Sequence, residues 1–240
     1  MSQIAQNKTA NGLLRALNKS DFALLGAKLS YAELAVRRQL EKCNRPVEHA
    51  YFFESGIGST VVAGGTTHSI EVGVLGREGM SGLSIIHEAD FSLYETVMQS
   101  AGSGWRIAAD DLMELQRNSL SLRRVLLRYA HTVMTQLAFT ALANGRYKLE
   151  ERLARWLLMA QDRIDGDTVK LTHEFLALML GTRRAGVTVG LGTFESRGIT
   201  QGTRGAIKIL DRDALVECSN GCYGGAENEY RRLFQPGTGD

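Results

Sequence analysis

Between Thr182 and Ile209 the sequence places Arg183, Arg184, Arg197, Arg204 and Lys208 against a single acid, Glu195. Five bases against one acid is a strong local excess in a 240-residue chain whose formal net charge is only +2. An anionic partner would therefore meet this stretch rather than the molecule as a whole. The adjacent guanidinium groups of Arg183 and Arg184 are planar forks that suit phosphate oxygens, or the O6 and N7 edge of guanine. Thr182 and Thr188 can bond a phosphate or touch a thymine methyl group. Gln201, Thr203 and Arg204 add a second polar and basic cluster close behind.

Other chemistry-bearing residues carry less. Cys218 and Cys222 lie four apart, and Cys43 stands alone. A metal or redox pair is one reading of the first two, but free cysteines usually pack as small apolar groups. The odd number argues against a secreted disulfide framework. The five histidines show no His-x3-His spacing, and His49 beside Tyr51–Phe53 reads as a roll residue rather than a haem ligand. Glu54, Glu71, Glu78, Glu95 and Asp90 have no nucleophile–base set beside them, so no enzyme signature emerges.

The basic stretch needs elements to hold it. Thr172 can cap a helix over His173–Leu180, and Thr182 a second from Arg183 to about Ser196. Gly181 stands between them, where a tight turn must fall, so the pair reads as a helix-turn-helix. Val187, Leu191 and Phe194 would anchor the second helix, and Ala177 permits a close crossing. Gly186, Gly190 and Gly192 each cost about 1 kcal/mol in a helix. Close approach to DNA at Gly186, and packing at the other two, would account for them. Thr200–Leu210 then reads as a hairpin, a wing, with Gly202 and Gly205 near its tip.

Upstream, Arg146–Ile164 reads as an amphipathic helix. Leu120–Asn144 reads as a long one, ended by Gly145 and apolar on more than one side. A helix apolar on two sides needs cover on two sides, and a second copy of the chain would supply one of them. Leu122, Leu126, Tyr129, Val133, Leu137 and Ala141 are assigned to that seam. Before it, short runs at Ala50–Phe53, Ser59–Ala63, Ser69–Leu75, Tyr94–Ser100 and Gly104–Ile107, punctuated by glycines, suggest a β-roll. Leu13–Ala35 reads as short helical pieces. The expected fold class is α+β: a sandwich or barrel-like roll over 13–118, a dimerisation helix over 119–145, a winged helix-turn-helix over 146–218, and a C-terminal helix or tail over 219–240. Met1–Asn11 has no apolar signal core, and Tyr129–Gly145 is too polar to span a membrane. A soluble cytoplasmic protein is expected.

On these segments the chain resembles the Crp/Fnr family of bacterial regulators. The carriers are Tyr51–Gly56, Glu71–Met80, Leu149–Leu157, Leu171–Ala177 with Leu180–Arg184, and Gly205–Asp211. The resemblance implies that the roll over 13–118 is a double-stranded β-helix (jelly-roll) sensor domain. It also implies a ligand- or redox-gated homodimer that binds double-stranded DNA at a palindromic operator, with RNA polymerase as a further partner if it activates. DNA contacts are then expected from Thr172, Thr182, Arg183, Arg184, Ala185, Gly186, Thr188, Gln201, Thr203 and Arg204. An effector pocket would involve Gly79, Met80, Ser81, Gly82, Tyr94, Glu95 and Thr96.

The departures from the family's pattern also inform. Members that bind cyclic AMP carry a glutamate after a roll glycine and an Arg-Ser or Arg-Thr pair. Here Met80 follows Gly79, and Tyr94–Glu95–Thr96 lacks the arginine, so cyclic AMP is not expected. Iron–sulfur members need four cysteine ligands per cluster, and this chain has three cysteines in all. No cofactor is expected, and the effector is left open. Arg184 falls at the family's principal base-reading arginine, but Ala185 and Val189 replace a following glutamate and a later arginine, so a different operator is implied. Two rivals remain. One is a regulatory module acting on a protein partner through a degenerate DNA domain, which the glycine-rich helix would favour. The other is an enzyme built on the roll around Gly73–Glu95.

Overall fold

The computed structural model describes residues 4–64, 68–89 and 91–235. Asp90 and the last residues of the tail, 236–240, lie outside them. In chain order the elements are α1 (Gly12–Arg15), α2 (Lys19–Gly26), β1 (Ser30–Leu34), β2 (Gln39–Glu41), β3 (His49–Gly64), β4 (His68–Leu75), α3 (Leu83–Ile86), β5 (Glu95–Ala108), α4 (Ala109–Asn118) and α5 (Leu120–Arg146). They continue with α6 (Leu149–Gln161), β6 (Thr168–Val169), α7 (His173–Met179), α8 (Arg184–Ser196), β7 (Thr200–Thr203), β8 (Ala206–Ile209), α9 (Arg212–Cys218) and α10 (Gly225–Phe234).

The N-terminal half is an antiparallel sheet ordered β1-β5-β3-β4, with β2 also paired to β5. Four of the five strand runs read from sequence merge into two long strands, β3 and β5. Register shifts between Phe53 and Gly58 break the strict alternation of β3, and such bulges bend a strand and increase its twist. Before the bulges, Ala50–Phe53 pairs regularly, and all four residues are buried because both faces of the sheet are covered there. Phe53 packs with Leu34, Leu75 and Met98. Phe52 packs on the opposite side with Met80, Ile107, Leu122 and Leu126. Ser30–Leu34, expected to be helical, is a strand paired with Gly102–Arg106. Its five residues are too few for helix and strand periods to be told apart. Asn18 caps α2, its side chain accepting from the Asp21 N–H.

Helix α5 has 27 residues and is about 40 Å long. Gly145 does not end it. The helix runs on to Arg146 and stops at the extended Tyr147, beyond which Lys148 caps α6. The expected seam needs correction. Leu122, Leu126, Tyr129 and Val133 are buried in the chain's own core, and Leu137 packs on the same cluster. Of the six assigned residues only Ala141 is exposed. The exposed apolar positions are instead Leu120, Leu127, Met134 and Ala141, a strict seven-residue repeat, flanked by Ala138 and Leu142. An α-helix drifts only about 20° per heptad, so these form one continuous stripe. A third flank of α5 is covered by α10, where Gly225 sits on the Phe139 ring and Glu229 pairs with His131 at 3.0 Å.

Tyr129 fixes α5 to the roll. Its hydroxyl accepts from Met80 N at 3.0 Å and donates to Met80 O at 2.7 Å. Its ring occupies the space a Cβ on residue 79 would need. Gly79→Ala is therefore expected to lower unfolding free energy by about 1–3 kcal/mol through overpacking, measured by urea denaturation. The same change should cost much less in a Tyr129→Ala background, where the ring is gone. Equal losses in both backgrounds would contradict this placement.

The C-terminal half shares one core. Leu153 and Leu157 of α6, Leu176 of α7, Val187, Leu191 and Phe194 of α8, Ile207 of β8 and Leu215 of α9 all belong to it, joined by Ile57 and Val74 of the roll.

Candidate nucleic-acid interface

The helix-turn-helix is built as its residues dictate. Thr172 accepts from Phe175 N and caps α7. Gly181 turns the chain with φ +58°, a left-handed conformation that costs glycine little. Thr182 N then bonds Ala177 O at 2.9 Å. Thr182 is not the cap of α8. That position falls to Arg183, whose side chain makes no capping bond. Val187, Leu191 and Phe194 point into the core, which turns Arg183, Arg184, Ala185 and Thr188 outward. Thr188 Oγ1 bonds back to Arg184 O and meets His173 Nδ1 at 3.0 Å.

Gly186 also needs correction. A Cβ there would lie 2.8 Å from Leu149 Cδ2, so its bareness serves the crossing of α8 over α6, not an approach to DNA. Gly190 does the same against Leu153 at 3.1 Å. Gly192, expected to pack, faces open space, and nothing in the structure explains it.

The wing follows directly. β7 and β8 pair with Gln201 opposite Lys208 and Thr203 opposite Ala206, and β6 joins as the third strand. The turn is Arg204–Gly205, with Gly205 at φ +76°. Gly202 lies within β7, where its N–H donates to Glu195 Oε1 at 2.8 Å. The one acid of the basic stretch thus ties the wing to α8. Gln201, Thr203 and Arg204 are exposed at the tip. Among the described residues Arg183, Arg184, Arg204 and Lys208 take part in no ion pair.

The expected effector pocket is occupied by the protein itself. Met80, Ser81 and Thr96 are buried. Met80's backbone is taken by Tyr129, and Ser81 Oγ accepts from Tyr51 N. Gly82 N and Thr96 Oγ1, donors an anionic ligand would need, both bond Glu41 Oε1 at 2.9 Å. Burial holds the Glu41 carboxyl above its ordinary range, against those two bonds. Tyr94 is raised too, first by burial and then by the charge of Glu41. Glu95 is exposed on β5. The cysteines are separate. Cys218 ends α9, Cys222 is buried in the turn beyond it, and Cys43 Sγ faces Leu93 O. Burial raises the Cys222 thiol to about 11.

The sequence gives little sign of a further polar cluster. Glu71 of β4 is buried and accepts from Trp156 Nε1 of α6 at 2.6 Å, and from Ser59 Oγ and Gln99 Nε2 of the roll. It therefore joins the roll to the winged domain. Alternation along β4 does not reveal it, because the bulge that pairs Thr60 with Gly73 but Val61 with Glu71 turns Glu71 to the side of Ser59 and Val74, away from Leu75. Burial raises its carboxyl to about 7 from an ordinary 4.5, while the bonds from Ser59 and Trp156 and the charges of Arg155 and Arg163 pull the other way. The folded state thus holds a proton the unfolded chain has released. Stability should fall as pH rises between 4.5 and 7, by up to about 3 kcal/mol. Glu71→Gln removes the titration. The new amide can donate to Gln99 Oε1, which is buried without a partner. Denaturation midpoints of this variant should vary less over that window than those of the native chain, and an unchanged pH profile would count against the assignment.

Comparison with known proteins agrees with this geometry. Residues 151–218 match the Crp-like helix-turn-helix domain. Among curated proteins none matches the chain. Among solved structures, FixK2 from Bradyrhizobium japonicum is similar at 16% identity and TM-score 0.67, over 79% of this chain and 96% of its own. A CRP-family transcriptional regulator from Thermus thermophilus is similar at 17% identity and TM-score 0.67, over 81% and 99%. The c-di-GMP responsive global regulator CLP of Xanthomonas campestris is similar at 14% identity and TM-score 0.63, over 80% and 99%. Among the described residues no helix is long and apolar enough to cross a membrane. The chain thus carries a Crp-like helix-turn-helix domain at its C-terminal end and has, as a whole, the α+β architecture of the Crp/Fnr transcription regulators.

Proposed function

We propose that this chain is a homodimeric cytoplasmic regulator of transcription that binds a palindromic operator in double-stranded DNA and catalyses no reaction. The observation that carries this reading is a helix-turn-helix followed directly by a wing, in which Arg183 and Arg184 at the start of α8 and Arg204 at the wing tip are all exposed and, among the described residues, in no ion pair. The exposed heptad stripe on α5 supports pairing of two chains. A two-fold dimer presents two reading helices, and half-sites about 34 Å apart on one face of a duplex would suit them. Packing roles for Gly186 and Gly190 remove the main argument for a degenerate reading helix. RNA polymerase is the further partner if the bound dimer activates.

Cyclic AMP is not the signal in this reading, because Glu41 takes the N–H and hydroxyl donors and places a carboxylate where a phosphate would sit. The test is a salt titration on a palindromic duplex. Log K should fall linearly with log salt as counterions are released. Arg204→Ala should weaken all sequences alike and reduce the slope by about 1 for each phosphate it no longer neutralises. Affinity independent of salt would overturn the reading.

A further inference from the structure

A cleft of about 430 Å³ opens between the roll, α5, the end of α6 and the C-terminal pair α9–α10. That volume is ordinary for a small-molecule site. Tyr129, which fills the space beside Gly79 and Met80, also forms part of its wall. Its lining is mixed: Val74, Val133 and Ala226 supply an apolar patch among charged and polar side chains. Of its three acids, Glu78 holds Arg163 and Asp162 holds Arg212, each at 2.7 Å, while Glu227 accepts from Gly224 N at 2.9 Å and is in no ion pair among the described residues.

Two of its five arginines stand outside any such pair. Arg15 and Arg231 reach the lining, and among the described residues neither is in an ion pair. Arg77 pairs only with the almost fully exposed Asp165. Two buried atoms of lining residues have no partner: Arg77 Nε, a donor, and Glu78 Oε2, an acceptor. Guanidinium groups outside any internal ion pair at Arg15 and Arg231, a Glu227 carboxylate whose Oε1 takes no hydrogen bond among the described residues, and an apolar patch fit one kind of occupant.

We propose that this cleft is the effector site, and that it takes a small organic oxyanion with an apolar or aromatic body and one hydrogen-bond donor. The inference rests on the regulatory reading above and adds the site and the ligand class. The walls come from three parts of the chain: the Val74–Glu78 segment of the roll, α5, and Asp162, Arg163 and Arg212 of the winged half. An occupant touching all three can favour one arrangement over another, to the extent that it binds the two differently.

The probe is 8-anilinonaphthalene-1-sulfonate, which has an anionic group, an aromatic body and an N–H. With the full chain, fluorescence and calorimetry should show one saturable site per chain. Arg15→Glu with Arg231→Glu, both at exposed positions, should weaken it at least tenfold at unchanged thermal stability. Ala226→Trp should fill the cleft and abolish binding. Benzoate or phenyl phosphate should displace the probe, and the stronger competitor tells a carboxylate from a phosphate ester. Saturating probe should change operator affinity at least fivefold, and the double charge swap should lose that response. Unaltered probe binding in the charge-swapped chain, displacement by neither competitor, or operator affinity indifferent to the probe would each overturn the proposal. A chain that binds the probe here but binds no DNA at all would instead overturn the regulatory reading.

Discussion

Leu127→Glu combined with Met134→Glu should convert the dimer to monomers and lower operator affinity by about 10²–10⁴-fold, the gain that linking two binding events normally provides. Both side chains are exposed on the single chain, Met134 at 60%, so the substitutions leave the monomer's own core untouched. Across a two-fold axis each carboxylate would face its copy or a neighbouring one, adding repulsion to the removal of apolar surface. Light scattering after size exclusion would read the mass, and fluorescence anisotropy the affinity. Leu126→Ala is the informative contrast. That residue is fully buried in the roll's core, so its loss should cost about 2–5 kcal/mol of folding stability while the folded fraction still pairs. A double glutamate variant that stays dimeric would show that the stripe is not the seam.

Arg184→Ala is expected to cost about 1–3 kcal/mol per half-site, roughly 5–150-fold, and to remove discrimination at one base pair. The reason is position. Arg184 opens α8 on its exposed side, where a helix entering the major groove presents its first residues to base edges. Arg183, one residue earlier and outside the helix proper, stands where a phosphate contact is natural. Arg183→Ala should therefore weaken every sequence alike. Competition against duplexes substituted at each operator position separates the two patterns. A uniform loss for Arg184→Ala would move the base contact elsewhere on α8.

The reading head was legible because its signals are local. The Thr172 cap, the left-handed Gly181, the inward Val187, Leu191 and Phe194 and the Arg204–Gly205 turn each depend on a few neighbouring residues. Which stripe of α5 is left exposed was not legible, for a physical reason. The helix is apolar around most of its circumference, and sequence periodicity cannot say which stripe meets the roll, which meets α10 and which is left over. Gly186 misled similarly, since Leu149 approaches it from another helix. Glu71 and Glu41 were missed as interior groups because their partners lie on distant elements: Trp156 and Gln99 for one, Gly82 and Thr96 for the other. The N–H donors and strand positions read as an effector pocket are present, but a carboxylate from β2 already satisfies them.

Selection of bound duplexes from a random pool by the full chain, with the stoichiometry of the winning complex measured by native mass spectrometry, tests the central claim most directly. The expected result is an inverted repeat with half-site centres about 10 base pairs, or a multiple of that, apart, bound by two chains, with enrichment lost when Arg183 and Arg184 are both replaced by alanine. Enrichment of no repeat, or a complex holding one chain that is indifferent to those two arginines, would contradict it.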